Sequence, residues 1–170
     1  EHGGKGEAGQ ARPVGEVLRR QSGRSLTAPR AATAMSPANP TDALPCPCGS
    51  GRPLIACCGR WHSEAEWLQA PNAEALMRSR YSAFVLDLRD YLLATWHPST
   101  RPALIEPPEP GLSWLGLQIK AAPPPGGDRG TVEFVARSKL SGRAHRLHEV
   151  SRFVQEGGRW LYLDGDLSER

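Results

Sequence analysis

All four cysteines of the chain fall inside fifteen residues, "PCPCGSGRPLIACCG" (45–59). Their spacing limits what they can do. Cys57 and Cys58 are neighbours, and a bridge between neighbours strains the backbone. Cys46 and Cys48 are separated by one residue, which is little better, and the redox pair C-x-x-C is absent. Cross-pairing is geometrically open, but no secretory pattern marks the chain for an oxidising compartment. Four thiolates satisfy a tetrahedral zinc ion at Zn–S distances of about 2.3 Å and leave no open position, which makes such a site structural rather than catalytic. Cys46, Cys48, Cys57 and Cys58 are therefore expected to hold one structural Zn2+; four free buried thiols are the alternative. Gly49, Gly51 and Gly59 allow the backbone to turn tightly around the ion.

The rest of the chain narrows the function classes. Its 170 residues suffice for one ordinary domain plus an appendage. No run approaches the roughly 18 apolar residues of a membrane span, and the N-terminus lacks an apolar signal core. A cytoplasmic location is the expectation. The first 34 residues hold six basic and three acidic side chains, and the remainder holds fifteen of each. The folded part carries no global basic field, so nucleic-acid binding is the weakest reading.

Residues 1–43 are Gly-, Ala-, Arg-, Ser- and Pro-rich without apolar period or aromatic residue, and are expected to be disordered. Met35 is a candidate start of translation, with 1–34 an upstream extension; an Arg-rich targeting peptide is the less favoured alternative. After a linker at 61–71, "NAEALMRSRYSAFVLDL" predicts a helix capped by Asn72, with Leu76, Met77, Tyr81, Phe84, Val85 and Leu88 on its buried stripe. "RDYLLATW" predicts a second helix that packs Leu92, Leu93 and Trp96 and stops before Pro98. Strands are predicted at "LSWLGLQIKAA", at "TVEFVARSKL", and as a hairpin in "HRLHEVSRFVQEGGRWLYLDG" turning at Gly157-Gly158. Helices followed by antiparallel strands make an α+β pattern.

Two resemblances follow from these stretches. "CPCGSGRPLIACCG" resembles the SEC-C motif, a small zinc-binding segment, whose four metal ligands match the four cysteines; Arg52 supplies the basic residue usual after its second glycine. "LMRSRYSAFV", "YLLATWHPS", "WLGL", "VEFVAR" and "HEVSRFVQEGGRWLYLDG" resemble the YchJ family, in which a SEC-C motif precedes a nuclear transport factor 2-like domain. The resemblance implies a cone-shaped, cystatin-like α+β fold, with a curved antiparallel sheet around packed helices and a cavity at its open end. It divides the chain into a disordered extension (1–43), a SEC-C-like motif (44–62) and the α+β domain (63–170).

The implied fold hosts both binders and enzymes, so function rests on individual residues. Arg80 sits at the edge of the helix stripe. It either binds an anion in the cavity or, the preferred reading, forms a buried salt bridge with Glu149 or Asp164. Arg78 lies off the stripe. His97 either lines the cavity mouth as a general base oriented by Asp164 or, more commonly for such a residue, fixes the turn. On the strand near 150, one face reads Leu147, Glu149, Ser151, Phe153 and the other His148, Val150, Arg152, Val154; each carries a charge, so periodicity does not choose the inner one. Trp61-His62 should pack the zinc knuckle on the domain, and Trp114 and Trp160 should be core. There is no phosphate loop, nucleophile elbow or helical His pair.

The leading expectation is a non-enzymatic, zinc-binding protein. Its knuckle docks another protein, and its α+β domain is a scaffold or small-ligand binder. The alternative is an isomerase, dehydratase or hydrolase using Arg80, His97 and Asp164.

Overall fold

The computed structural model describes residues 44–168. The expectations for residues 1–43, including the Met35 start, lie outside the described residues. Four strands follow two helices: α1 (Ala73–Val85), α2 (Arg89–Ala94), β1 (Ser113–Ala121), β2 (Arg129–Leu140), β3 (Arg143–Glu156) and β4 (Arg159–Leu167). The strands form one antiparallel sheet in the order β1-β2-β3-β4. Two-residue turns with positive φ at both positions, Ser141-Gly142 and Gly157-Gly158, join β2 to β3 and β3 to β4; this geometry matches the right-handed twist of the flanking strands. The β2–β3 ladder runs without a slip, whereas β1 and β4 carry register shifts that bend the outer strands.

Asn72 caps α1 as expected, its Oδ1 accepting from the Ala75 amide at 2.8 Å. The helix ends at Val85 rather than Leu88, because the chain turns through Asp87 at φ +54°. Similarly, α2 stops at Ala94 instead of reaching Trp96. Here the sheet competes for the backbone: the Tyr162 amide donates to Thr95 O at 2.9 Å, and the His97 amide donates to Tyr162 O at 2.7 Å.

The helix stripe is broader than its apolar pattern. Leu76, Met77 and Tyr81 pack against Val132, Phe134, Ala136, Phe153 and Trp160 of the sheet. Ser79, Arg80, Ser82 and Ala83 are buried as well, while Phe84 is 38 % exposed. The reason is that α1 is covered on several sides, by the sheet, by α2 and by the cysteine loop. On its far side Trp61, Ala83, Tyr91 and Leu92 form a second apolar cluster. The inner sheet face is also settled: Ser151 and Phe153 are fully buried beneath the helix, whereas Arg152 pairs outside with Asp164 and Asp166.

Close helix–sheet contact depends on Gly130. A Cβ there would lie 2.9 Å from the Ala73 Cβ and 3.2 Å from the Trp160 ring. Gly130→Ala is expected to destabilise the domain by about 1–3 kcal/mol through overpacking, measured by urea unfolding; an unchanged midpoint would contradict this. A second expectation concerns His62. Its Nε2–H donates to Ser79 O at 3.0 Å, its ring packs edge-on to Tyr91, and burial holds its pKa below 6.5. The unfolded chain takes up a proton near pH 6.5 that the folded chain refuses until lower pH. This contribution is therefore complete above about pH 6.5 and is lost as pH falls through that window. The metal-saturated wild type should lose stability between about pH 7 and pH 5.5 more steeply than His62→Gln. Equal slopes would contradict it.

Candidate functional site

The cysteine segment closes on itself through a short hairpin. The Leu54 amide donates to Leu44 O at 2.7 Å, and the Cys46 amide donates to Arg52 O at 2.9 Å. Gly49 and Gly51, at φ +74° and +75°, make the turn between them. Gly59 is needed for room: a Cβ would lie 2.8 Å from Leu54 O. A single 3-10 turn, Cys58–Trp61, then leads into the domain.

This path brings the four sulfurs together. All lie within 4.8 Å of one another, with Cys48–Cys57 at 3.7 Å and Cys57–Cys58 at 4.0 Å. Four bonds of about 2.3 Å around a tetrahedral ion require sulfur–sulfur edges of roughly 3.8 Å, so the cage fits a metal ion of that kind. Ser50 Oγ stands 3.2 Å from Cys57 Sγ, and Arg52 Nη2 donates to the same sulfur at 3.4 Å. The basic residue after the second glycine thus serves the sulfur cage. Among themselves the thiols share charge unevenly. The hydrogen bond with Cys58 pulls Cys48 down to about 4, while that bond and then burial push Cys58 up. Burial also pushes Cys46 up. A divalent cation lets all four ionise together.

The loop is not set apart from the domain. Its cysteines belong to the same core cluster as Leu76, Met77, Tyr81 and Phe134. Arg78, which pairs with Glu74, also donates to Cys48 O at 3.3 Å, and Ser82 Oγ lies 3.6 Å from Cys46 Sγ.

The other face of α1 borders a cavity of about 290 Å3 between helix and sheet. Its walls are largely apolar: Met77, Tyr81, Phe84, Trp114, Phe134 and Leu147. Arg80, Glu149, Ser151 and Tyr162 supply the polar groups. Arg80 is 3 % exposed. Its guanidinium lies between the Trp96 and Tyr162 rings, at 5.1 and 4.6 Å from their centroids, where cation–π attraction favours it. Nη1 donates to Leu92 O and Thr95 Oγ1, both at 2.7 Å. Burial lowers its pKa to about 10, partly offset by Tyr162, Tyr91 and Glu149; it remains a cation at neutral pH. The expected salt bridge to Glu149 or Asp164 is absent among the described residues. The buried charge is instead held by two rings and two oxygens. Glu149 Oε1 accepts from Ser151 Oγ at 2.6 Å and from Tyr162 OH at 3.2 Å.

The three proposed catalytic candidates are not brought together. Arg80 lines the cavity; His97 and Asp164 do not. His97 Nδ1 accepts from the Ser99 amide at 3.2 Å, so Nε2–H faces Glu156 Oε1 at 3.0 Å, and the ring braces the turn. Asp164 pairs with Arg152 at 2.5 Å on the outer face. Trp160 is core as expected, but Trp114 borders the cavity and packs on Tyr81 at 5.5 Å. Sequence reasoning named Glu149 only as a salt-bridge partner of Arg80 and missed Tyr162 as a cavity group. The available signal was the Leu147-Glu149-Ser151-Phe153 face, two polar residues between two apolar ones.

Comparison with known proteins agrees with this architecture. Residues 72–165 match the family model described as the middle, NTF2-like domain of YchJ. A UPF0225 protein of Bordetella pertussis is 60 % identical over 129 residues, covering 76 % of this chain and 97 % of its own. One of Methylibium petroleiphilum is 66 % identical over 125 residues, covering 73 % and 89 %. The solution structure of a SEC-C motif containing protein from Rhodopseudomonas palustris superposes with a TM-score of 0.62 at 35 % identity, over 73 % of this chain and 98 % of that one. A crystal structure of a SEC-C motif containing protein from Psychrobacter arcticus gives 0.60 at 28 % identity, over 76 % and 86 %. With an NTF2-like α+β domain behind a cysteine cluster, the chain belongs to the YchJ family of UPF0225 proteins.

Proposed function

We propose that the chain is a zinc-stabilised, small-ligand-binding protein: the cysteine loop holds one structural Zn2+, and the cavity beside α1 takes the ligand. Arg80 carries the reading. It is a buried cation with no carboxylate in ion-pair contact, and only Nη1 of its three nitrogens is hydrogen-bonded within the described residues. No fully enclosed side-chain nitrogen or oxygen among the described residues lacks a partner, and Arg80 lines the cavity. Burying a charge in an apolar wall is costly unless a partner completes it. A pocket of apolar walls with a few convergent polar groups is what a small ligand requires. Four thiolates would close the coordination of the zinc, so its role is to hold the loop, and thiolates of this kind suit a reducing compartment such as the cytoplasm. An isomerase, dehydratase or hydrolase reading keeps only Arg80 of its three candidates in the cavity, so binding is preferred.

Metal analysis of protein purified under reducing conditions should find about one zinc per chain, and Cys57→Ser/Cys58→Ser should find none. Chelation is expected to remove about 4 kcal/mol, the linkage contribution of a ligand near a thousand times its Kd, lowering the Tm by roughly 10 °C. Wild type free of metal would overturn the zinc reading.

Docking of a protein partner through the knuckle is a second reading, favoured by one observation: Leu44 and Ile55, beside the sulfur cage, are 49 % and 57 % exposed. Affinity capture with the wild type and Ile55→Glu should then give different partners, and identical recoveries would argue against it.

A further inference from the structure

The cavity holds two charges of opposite sign, and together they restrict its ligand. This inference rests on the ligand-binding reading above. Arg80 presents Nε and Nη2, neither of which is bonded to the described protein. Among the described residues the hydrogen bonds of Glu149 both go to Oε1, which leaves Oε2 without one. The two side chains line the same cavity but do not approach within the 4.0 Å of an ion pair. Each therefore keeps its own unfilled capacity.

Glu149 is placed with care. Ser151 and Tyr162 hold one oxygen, and Gly165 makes the space. Gly165 lies opposite Ser151 on β4. A Cβ there would fall 2.6 Å from the Glu149 carboxyl carbon. Its φ is not in the left-handed region, so room, not backbone freedom, is what glycine supplies. The carboxylate thus occupies a place that no other residue at 165 would leave free.

Charge balance then discriminates between ligands. A monoanion would satisfy Arg80 but face the Glu149 carboxylate, and a monocation would satisfy Glu149 but face the guanidinium. Like charges facing each other across a largely apolar pocket disfavour either singly charged ligand. A molecule with one charge of each sign satisfies both walls. At about 290 Å3 the cavity lies at the small end of ligand pockets, which start near 300 Å3, so it suits a compact molecule rather than a cofactor. The remaining walls are aromatic and aliphatic, with Phe84 and Leu147 each 38 % exposed at its rim.

We propose that this cavity binds a free α-amino acid with an apolar side chain, its carboxylate on Arg80, its ammonium on Glu149, and its side chain among Met77, Tyr81, Trp114 and Phe134. The test is calorimetric titration of the metal-loaded full chain with L-phenylalanine, L-leucine, 3-phenylpropionate, phenethylamine and benzyl alcohol. One of the two amino acids should bind at least about tenfold tighter than either singly charged probe, a difference of about 1.4 kcal/mol. Glu149→Gln keeps the side-chain shape and removes the charge, and circular dichroism checks its fold. It should weaken amino-acid binding at least about tenfold and tighten 3-phenylpropionate relative to wild type. Gly165→Ala, which displaces Glu149 without altering its charge, should weaken the amino acid as well. If 3-phenylpropionate binds wild type as tightly as the amino acids, or Glu149→Gln changes neither, the proposal fails. Should benzyl alcohol bind without any preference for a zwitterion, the amino-acid assignment falls and the ligand-binding reading stands. Binding of none of the five probes would overturn both.

Discussion

The contact between the cysteine loop and helix α1 is the constraint on which the rest of the structure depends. Arg78 and Ser82, one turn apart, reach Cys48 O and Cys46 Sγ, and Ser79 O receives His62 from the segment that follows the loop. The opposite side of the same helix gives Met77, Arg80, Tyr81 and Phe84 to the cavity. These two sets follow the helical period of three and four residues. A short helix has little stability of its own and takes it from packing. Whatever holds the sulfur cage therefore adds to the packing that the sheet and α2 give this helix, and with it to the wall that carries Arg80.

This arrangement separates the cysteine cage from the cavity. The cage is enclosed by its own loop and by polar groups in hydrogen-bond contact with its sulfurs, Ser50, Arg52 and Ser82. The cavity lies across the helix and shares none of its lining residues with the cage. One helix borders both. Its polar residues are accordingly specific: Ser79 meets the Tyr91 hydroxyl at 2.6 Å, and Arg80 ties α2 to α1 through Leu92 O and Thr95.

Much of this was legible in the sequence, and the remainder was hidden for physical reasons. The clustering of the four cysteines could be picked out because adjacent cysteines exclude most other uses. The Asn72 cap and the Gly157-Gly158 turn were legible because both are local. Helix ends were less so. Val85 and Ala94 close their helices through a left-handed Asp87 and through pairing with Tyr162, and the second of these is a long-range contact. Arg80 was recognised as a buried charge but given the wrong partner. Aromatic rings at Trp96 and Tyr162 stabilise it, and nothing in the linear spacing brings these together. The inner face of the strand that carries Glu149 stayed open because each face holds a charge, and neither is preferred until the helix covers one.

The most direct test of the account is native-state hydrogen exchange before and after removal of the metal under reducing conditions. The amides of α1, 77–85, should lose most of their protection on chelation, with those of α2 and of β4 near Tyr162 following, while the uninterrupted β2–β3 ladder retains more. If α1 keeps its full protection without metal, the cage does not hold the helix, and the dependence of the cavity on the cysteine loop is refuted.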